Sequence, residues 1–330
     1  MNNVYLASVG TRSGKSILSI GLAMNYPGKV GFYKPFRENL INRNGNMTDQ
    51  DAVLLAEVLK LEEGEKLSPF IYDIFKPVSL NEIIAKYTEL SKNKEFMIIE
   101  GSRDLSNGFS HGISNFDIAQ ALGAPTVLVS SPNHQSIDSI FMFRHMCDER
   151  GMEFKGVVIN RGAGPKEKEF LEKNGIRVLG EIPNIPELRA FHVCDIAEKL
   201  NAKAITGAAG MDRTVEEVIV GAMDPRDAVR YMQRSRKKAV ITGGDRTDIL
   251  LAALSTDTSC IIVSGGITPS RTVVSRADEL GIPIILTDED ALTSAETIDR
   301  LIARIDPNDT KKIDLIKAAV KKNVDLDEIW

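Results

Sequence analysis

The chain has 330 residues, of which 43% are apolar, and carries a formal net charge of −5. This length and apolar content predict two domains, each with a core of its own. Basic residues are scattered along the sequence, so a nucleic-acid-binding protein is not expected. No run approaches about 18 consecutive apolar residues, and the N-terminus lacks a basic, apolar leader, so neither a membrane span nor a signal peptide is predicted.

The cysteines and histidines give no sign of a metal site or a disulfide framework. Cys147, Cys194 and Cys260 are far apart in the sequence and form no CxxC pair. Neither they nor the four histidines follow zinc-ligand spacings. Buried thiols in a reducing compartment are the natural interpretation, so we expect a soluble, cytoplasmic protein.

In the first part of the chain, short apolar runs alternate with helical patterns. The predicted strands read, in chain order, VYLASV, KVGFYKP, EFMIIEGS, TVLVSS, KGVVINRG and VLGEIP. Continuously apolar strands separated by helices predict a parallel sheet that is covered on both faces. Residues 1–205 are therefore predicted to form a doubly wound α/β domain.

Residues 206–330 are predicted to form a second, smaller α/β domain with about four strands, because the same alternation recurs there. Its clearest strand patterns are KAVITGG, SCIIVSGG and PIILTDED. The tail KKIDLIKAAVKKNVDLDEIW has apolar residues at helical spacing. We interpret it as a docking helix or a contact between copies of the chain, because acidic residues interrupt its basic face and disfavour a membrane surface.

A phosphate-binding loop is predicted where the first strand meets the helix that follows it. The loop residues are Gly10, Thr11, Arg12, Ser13, Gly14, Lys15 and Ser16. Backbone N–H groups of such a loop surround phosphate oxygens, and the helix N-terminus adds partial positive charge. Lys15 is placed to reach the β and γ phosphates, and Ser16 to bind Mg²⁺. The usual spacing puts a glycine where Val9 stands, so we predict a loop one residue longer that starts at Ser8.

Three further residues are candidates for completing a site for a magnesium nucleotide. Glu100 ends the run FMIIE at the carboxyl end of a predicted strand, where ligands of open α/β sheets bind. Asp51 lies at a predicted helix start, so metal binding and helix capping are equally good interpretations. Lys34, at the end of another strand, is either a second phosphate cation or a solvated loop lysine.

Six short segments of the first domain recur together, in the same order, in one known family. They are SVGTRSGKS, YKP at 33–35, DA at 51–52, IIEG ending at Gly101, VINR at 158–161 and GEIP at 180–183. This part resembles the dethiobiotin synthetase branch of P-loop proteins, and more closely the N-terminal domain of that type in long bacterial phosphotransacetylases. The resemblance implies ATP and Mg²⁺ as cofactors, with phosphate contacts from Lys15, Ser16 and Lys34, metal contacts from Ser16, Asp51 and Glu100, and an adenine contact from Asn160.

The sequence departs from that family at two places near the expected site. Arg12 stands where dethiobiotin synthetases have an acidic residue. Ser102, Arg103 and Asp104 replace a glycine-rich stretch that follows the strand glutamate. These differences argue against diaminononanoate as the substrate.

Four segments of the second domain also match a known family. They are YM at 231–232, ITGGDRTDILLAAL, SGGITPS and TDEDALTSAETI. This part resembles the DRTGG domain, which implies a regulatory or dimerising module with a ligand of its own. From the residues, Gly243 and Gly244 either cradle an anion beside Arg246 or form a tight turn with an Asp245–Arg246 contact. The sequence ends without the acetyltransferase domain of the long enzymes, so acetyl transfer is not expected of it alone.

Two functions follow from these observations. The first is an ATP-dependent synthetase, ligase or slow ATPase, in which Lys15, Lys34 and Mg²⁺ stabilise a γ-phosphoryl group passing to a small carboxylate or carbamate. The second is a nucleotide-responsive regulatory protein with little or no turnover. A homodimer is expected because both resembled domains self-associate, and neither a nucleic acid nor a membrane is an expected partner.

Overall fold

The computed structural model describes residues 2–10, 13–43, 45–61, 64–102, 104–131, 134–162, 164–299 and 305–330. The chain divides into two compact units. The first comprises Met1–Asn184 and Ile305–Trp330, and the second comprises Ile185–Arg304. This division differs from the boundary predicted between residues 205 and 206. Val193, Ile196 and Leu200 explain the difference, because they belong to a core cluster of the second unit.

The first unit is built on a six-stranded sheet. The strands of this unit are β1 (Asn2–Ser8), β2 (Val30–Tyr33), β3 (Phe36–Arg37), β4 (Leu40–Arg43), β5 (Asn46–Asp49), β6 (Phe70–Ile71), β7 (Phe96–Glu100), β8 (Thr126–Ser130), β9 (Phe154–Asn160) and β10 (Val178–Ile182). The sheet order is β10-β9-β8-β1-β7-β2, and every neighbouring pair is parallel. The doubly wound α/β class predicted from the apolar runs is confirmed.

Helices connect these strands. They are α1 (Lys15–Asn25), α2 (Gln50–Leu59), α3 (Gly64–Leu67), α4 (Leu80–Leu90), α5 (Asn115–Ala121), α6 (His134–Glu149) and α7 (Pro165–Lys173). A short 3₁₀ helix spans Phe109–His111. The central strands are continuously buried because they are apolar on both faces, as in the fully buried stretch Phe96–Ile99.

The order of the strands places a crevice at the carboxyl end of β1. The chain first adds β2 and β7 on one side of β1, and then β8, β9 and β10 on the other side. Loops that leave neighbouring strands in opposite directions open a space between them, and ligands of open α/β sheets bind there.

The second unit contains a five-stranded sheet of order β12-β17-β16-β15-β14. The strands of the unit are β11 (Phe191–His192), β12 (Lys203–Thr206), β13 (Thr214–Val215), β14 (Glu217–Val220), β15 (Lys238–Gly243), β16 (Thr258–Ser264) and β17 (Ile284–Leu286). Its helices are α8 (Val193–Lys199), α9 (Pro225–Met232), α10 (Thr247–Leu254), α11 (Arg271–Leu280) and α12 (Ala291–Asp299), with 3₁₀ turns at Pro186–Arg189 and Ala208–Gly210. β14 to β17 are parallel, while β12 pairs antiparallel with β17.

The C-terminal helix α13 (Thr310–Asn323) packs on α1 of the first unit. Gly21 permits the close approach, because a Cβ there would lie 2.3 Å from Val320 Cγ2. Asn25 Nδ2 donates to the carbonyl of Lys317 at 3.0 Å, and the Trp330 ring meets Tyr26 edge-on. The tail is therefore a docking helix, as predicted, but it docks on the first unit.

Across the described ranges, none of the helices combines the length and the apolar character needed to cross a membrane.

Candidate nucleotide site

The predicted site residues meet at the carboxyl edge of the first sheet. Ser8 ends β1, Glu100 ends β7 and Asn160 ends β9, while Lys34 follows β2 directly. Because all of these strands are parallel, their ends lie on the same edge of the sheet. The structure therefore gathers at one crevice residues that are spread over most of the first domain in the sequence.

The described part of the phosphate loop is held closed by hydrogen bonds. Ser13 Oγ donates to the carbonyl of Gly10 at 2.8 Å, and Asn160 Nδ2 donates to the carbonyl of Ser13 at 3.0 Å. Gly14 has φ of 99°, and a Cβ there would lie 2.0 Å from Asn160 Nδ2. Only glycine suits this position. Thr11 and Arg12, also predicted in the loop, lie outside the described residues.

Asn160 therefore contacts the loop from the end of β9. Its side chain is buried, and its amide nitrogen is committed to Ser13 in this structure. The resemblance gave this residue an adenine contact, which stays a prediction. The geometry adds a role that sequence reasoning missed, since Asn160 fixes the backbone that precedes Lys15.

Lys15 begins α1 and is buried beneath the loop. Its Nζ donates to Ser8 Oγ at 2.7 Å and lies 3.4 Å from the carbonyl oxygen of Ser102. Burial lowers the pKa of Lys15, and the attraction of Glu100 only partly opposes this effect. An ammonium group that is buried against a hydroxyl and a carbonyl oxygen, with little water, has a strong tendency to bind an anion.

Lys34 is surrounded by three carboxylates. Its Nζ lies 2.7 Å from Asp51 Oδ2, 3.0 Å from Asp49 Oδ2 and 3.6 Å from Glu100 Oε1, and its side chain is 2% exposed. The alternative interpretation of a solvated loop lysine is therefore wrong. Burial disfavours the charged form, but the combined attraction of Asp51, Asp49 and Glu100 outweighs it and holds the pKa of Lys34 well above its ordinary value.

Asp49, rather than Asp51, caps helix α2. Asp49 Oδ1 accepts hydrogen bonds from the backbone N–H groups of Asp51 and Ala52, both at 3.0 Å. Asp51 is thus released from capping, and its Oδ1 accepts a hydrogen bond from Ser16 Oγ at 2.8 Å. Burial opposes the ionised form of Asp51, but Lys34 outweighs burial with help from Ser16 and lowers the pKa.

Glu100 is held in its protonated form more readily than an ordinary glutamate. It is 2% exposed, and its Oε2 accepts a hydrogen bond from Ser19 Oγ at 3.0 Å. Burial raises its pKa to about 7, although Lys34 partly offsets the effect. Sequence reasoning identified Glu100, but it gave no role to Ser19 or Asp49. The Thr48–Asp49 pair ahead of an apolar helical run is the signal that could have identified the cap.

The oxygen atoms of Ser16, Asp51 and Glu100 fit Mg²⁺ in chemical type, because Mg²⁺ prefers oxygen ligands. Within the described ranges, no group of three or more His, Cys, Asp or Glu side chains is arranged to hold a metal ion. One hydroxyl and a few carboxylate oxygens would leave the other positions around such an ion to water or to the phosphates of a nucleotide. Protein sites for Mg²⁺ are commonly completed in this way.

Comparison with known proteins agrees with this geometry. A family model described as an AAA domain matches residues 2–191, which is more than half of the chain. The chain belongs to this AAA domain family. A second model, described as the DRTGG domain, matches residues 195–301. The resemblance predicted from the sequence segments is confirmed for both parts, and the second match ends before the C-terminal helix α13.

Relatives of two kinds share the first domain. The phosphate acetyltransferase of Nitratidesulfovibrio vulgaris is 25% identical over 99% of this chain and 51% of its own length. The ATP-dependent dethiobiotin synthetase of Bacillus velezensis is 24% identical over 60% of this chain and 94% of its own length. The chain spans about half the length of the acetyltransferases that it matches.

Among solved structures, the septum site-determining protein MinD of Pyrococcus horikoshii in complex with Mg-ADP is similar to 57% of this chain. The match covers 84% of that protein, with a TM-score of 0.37 and 14% identity. The strand order and the two family matches, independently of that structure, establish an α/β domain of the AAA family joined to a DRTGG domain.

Proposed function

We propose that the first unit binds Mg-ATP and transfers the γ-phosphoryl group to an oxygen of a small carboxylate or carbamate. The observation that carries the proposal is the meeting of Lys15, Lys34, Ser16, Asp51 and Glu100 at one crevice. Phosphoryl transfer depends mainly on positioning and on charge stabilisation, and both are supplied by this set of groups.

In the proposed reaction, a carboxylate oxygen forms a bond to the γ-phosphorus while the bond from that phosphorus to the β–γ bridging oxygen breaks. The products are an acyl or carbamoyl phosphate and ADP. The nucleophile is already ionised near neutral pH, so no catalytic base is required. This agrees with a site rich in cations and metal-binding oxygens.

Each side chain has a distinct part in this reaction. Lys15 attracts the β and γ phosphates, and its burial strengthens that attraction. Lys34 offsets the charge that builds up on the transferred group. Ser16, Asp51 and Glu100 would hold Mg²⁺, which supplies further neutralisation of the phosphate oxygens when it is bound.

The direct test is Mg²⁺-dependent release of ADP from ATP, with and without a panel of small carboxylic acids. We expect turnover that rises with one acid and falls on the order of 100-fold or more in Lys15→Ala. Arg246→Ala, in the second unit, is the matched control and should retain wild-type turnover. Tight ATP binding with negligible turnover on every acid would count against phosphoryl transfer.

A second candidate function is supported by the DRTGG match to residues 195–301. In this alternative, the first unit binds ATP and the second unit senses a ligand or partner, as in a regulatory protein. Amide hydrogen exchange of Ile185–Arg304 with and without ATP would test it. Changed protection favours regulation, while an unchanged pattern and an unchanged oligomeric mass from light scattering argue against it. The same mass measurement tests the expected homodimer.

A further inference from the structure

We infer that Asp49 is a positioning residue that retains Lys34 when a metal ion takes over Asp51 and Glu100. On this view the Lys34 ammonium and the metal compete for the same two carboxylates, and Asp49 is the fixed partner that keeps Lys34 in the site. The inference rests on the proposed function, because it concerns the same metal and phosphate site.

The fixed position of Asp49 follows from its hydrogen bonds. Oδ1 accepts from the backbone N–H groups of Asp51 and Ala52, while Oδ2 accepts from those of Glu38 at 2.9 Å and Asn39 at 3.2 Å. The side chain is fully buried. Two separate backbone segments therefore clamp the carboxylate, and turning it toward a metal would leave several buried N–H groups without an acceptor.

Asp51 and Glu100 are held differently. The carboxylate of Asp51 accepts hydrogen bonds from the side chains of Ser16 and Asn39, and that of Glu100 accepts one from Ser19. Side-chain donors can rotate with their partner, whereas backbone donors of a helix start cannot. Of the three carboxylates around Lys34, only these two are therefore free to reorient.

The charge of the cluster also favours exchange. At a pH where Asp49, Asp51 and Glu100 are all ionised, the three carboxylates and the Lys34 ammonium leave an excess of two negative charges, which a divalent cation would offset. A metal ion on Asp51 and Glu100 would repel the nearby ammonium and remove two of its three partners. Lys34 would then keep Asp49 and become available to a phosphate oxygen.

The test uses Mn²⁺ as a paramagnetic probe of metal affinity in the full chain, first without nucleotide. Lys34→Met should bind Mn²⁺ about tenfold more tightly than the wild type, because the competing ammonium is gone. Asp49→Asn keeps a good helix cap and should bind Mn²⁺ about tenfold more weakly, because Lys34 then depends wholly on Asp51 and Glu100.

The double variant Lys34→Met/Asp49→Asn decides between positioning and simple charge. If Asp49 acts through Lys34, Asp49→Asn should lower Mn²⁺ affinity by less than about threefold in the Lys34→Met background. Equal losses in both backgrounds, or unchanged Mn²⁺ affinity in Lys34→Met, would overturn the inference. Asp49→Ser, which also caps helices well, replaces the Asn variant if that protein fails to fold.

A parallel titration of the wild type with Mn²⁺ and a non-hydrolysable ATP analogue separates the two proposals. Absence of analogue binding would contradict the proposed function, while the competition between Lys34 and Mn²⁺ alone would still be measured. Analogue binding together with equal losses in the double-variant comparison would leave the proposed function intact and overturn only the role of Asp49.

Discussion

Both units of the molecule place glycine-containing loops at the carboxyl ends of parallel strands, yet among the residues that the structure describes only the first unit gathers a cluster of buried charges there. In the first sheet the strand order reverses at β1, and this reversal opens a crevice. In the second sheet the parallel strands follow one another as β17-β16-β15-β14 without a reversal. The order of the surrounding strands therefore decides whether a ligand can reach a glycine loop that follows a strand.

The two loops also differ in what their glycines face. Gly14 lies against the Asn160 side chain, whereas a Cβ at Gly244 would lie 1.7 Å from the carbonyl oxygen of Ile267. Arg246 Nη2 donates to the carbonyl of Met223 at 3.1 Å, and its Nε lies 3.4 Å from Asp248 rather than beside the predicted partner Asp245. The TGGDR segment therefore fits the tight-turn interpretation, with a different ion pair from the one expected.

The largest effect should come from Gly244→Ala in the second unit. The added methyl group meets backbone, which cannot move aside cheaply, so we expect a loss of about 4 kcal/mol in the free energy of unfolding. Urea unfolding followed by amide exchange of β15 and β16 would measure it. Gly265→Ala is the control without a new contact, because a Cβ there meets nothing within 4 Å; its φ of 76° adds left-handed backbone strain, which Gly244 does not have. A smaller loss in Gly244→Ala than in this control would contradict the packing argument.

Gly14→Ala should act on ligand binding more than on folding. Its methyl group meets the end of a flexible side chain, but it would push Asn160 away from Ser13 and strain the backbone at positive φ. We expect affinity for a fluorescent ATP analogue to fall about 100-fold, which is about 3 kcal/mol.

Asn160→Ala in the Gly14→Ala background provides the check on this explanation. Removing the amide relieves the clash but not the backbone strain, so affinity should recover in part. If affinity for the ATP analogue fell in Gly14→Ala and did not recover in the double variant, backbone strain alone would account for the effect.

The pKa of Glu100 makes the unfolding free energy depend on pH in a defined direction. Burial raises this pKa from an ordinary value of 4.5 to about 7, so the folded protein keeps a proton that the unfolded chain loses between these values. The unfolding free energy should therefore fall by about 2 kcal/mol as the pH rises through this window. Urea titrations at pH 5 and pH 7.5 in EDTA would show the fall, and Glu100→Gln should reduce it. An equal fall in that variant would assign the effect to other groups.

The sequence predicted much of the first unit because its signals are local. Continuous apolar runs identify the six strands of the parallel sheet, and the segment SGKS before a helical pattern identifies Lys15 and Ser16. Of the two interpretations left open for Asp51, helix capping lies two residues away from the true cap at Asp49. That small shift matters chemically, because it decides that Asp51 is available to Ser16 and Lys34.

Contacts between distant segments could not be predicted in the same way. The cluster around Lys34 unites residues that lie at or directly after the ends of β2, β5 and β7. No local sequence spacing indicates that these strand ends meet. The spacing of apolar residues in the tail predicts a helix with one buried face, but it does not say which unit covers that face. The domain boundary and the partner of α13 therefore came only from the structure.

The smallest effect, Val320→Ala, tests that last contact. Val320 is fully buried and its methyl groups approach Gly21 of α1. Truncation should lower the free energy of unfolding of the first unit by about 1 kcal/mol and accelerate amide exchange in Lys15–Asn25. Val240→Ala, equally buried in a core cluster of the second unit, is the matched control and should instead accelerate exchange in β15 and β16. If Val320→Ala accelerated exchange in the second unit and left α1 unchanged, the predicted domain of residues 206–330 would describe the chain better than the division at Asn184. The tail would then contribute nothing to the stability of α1, the helix that follows the phosphate loop.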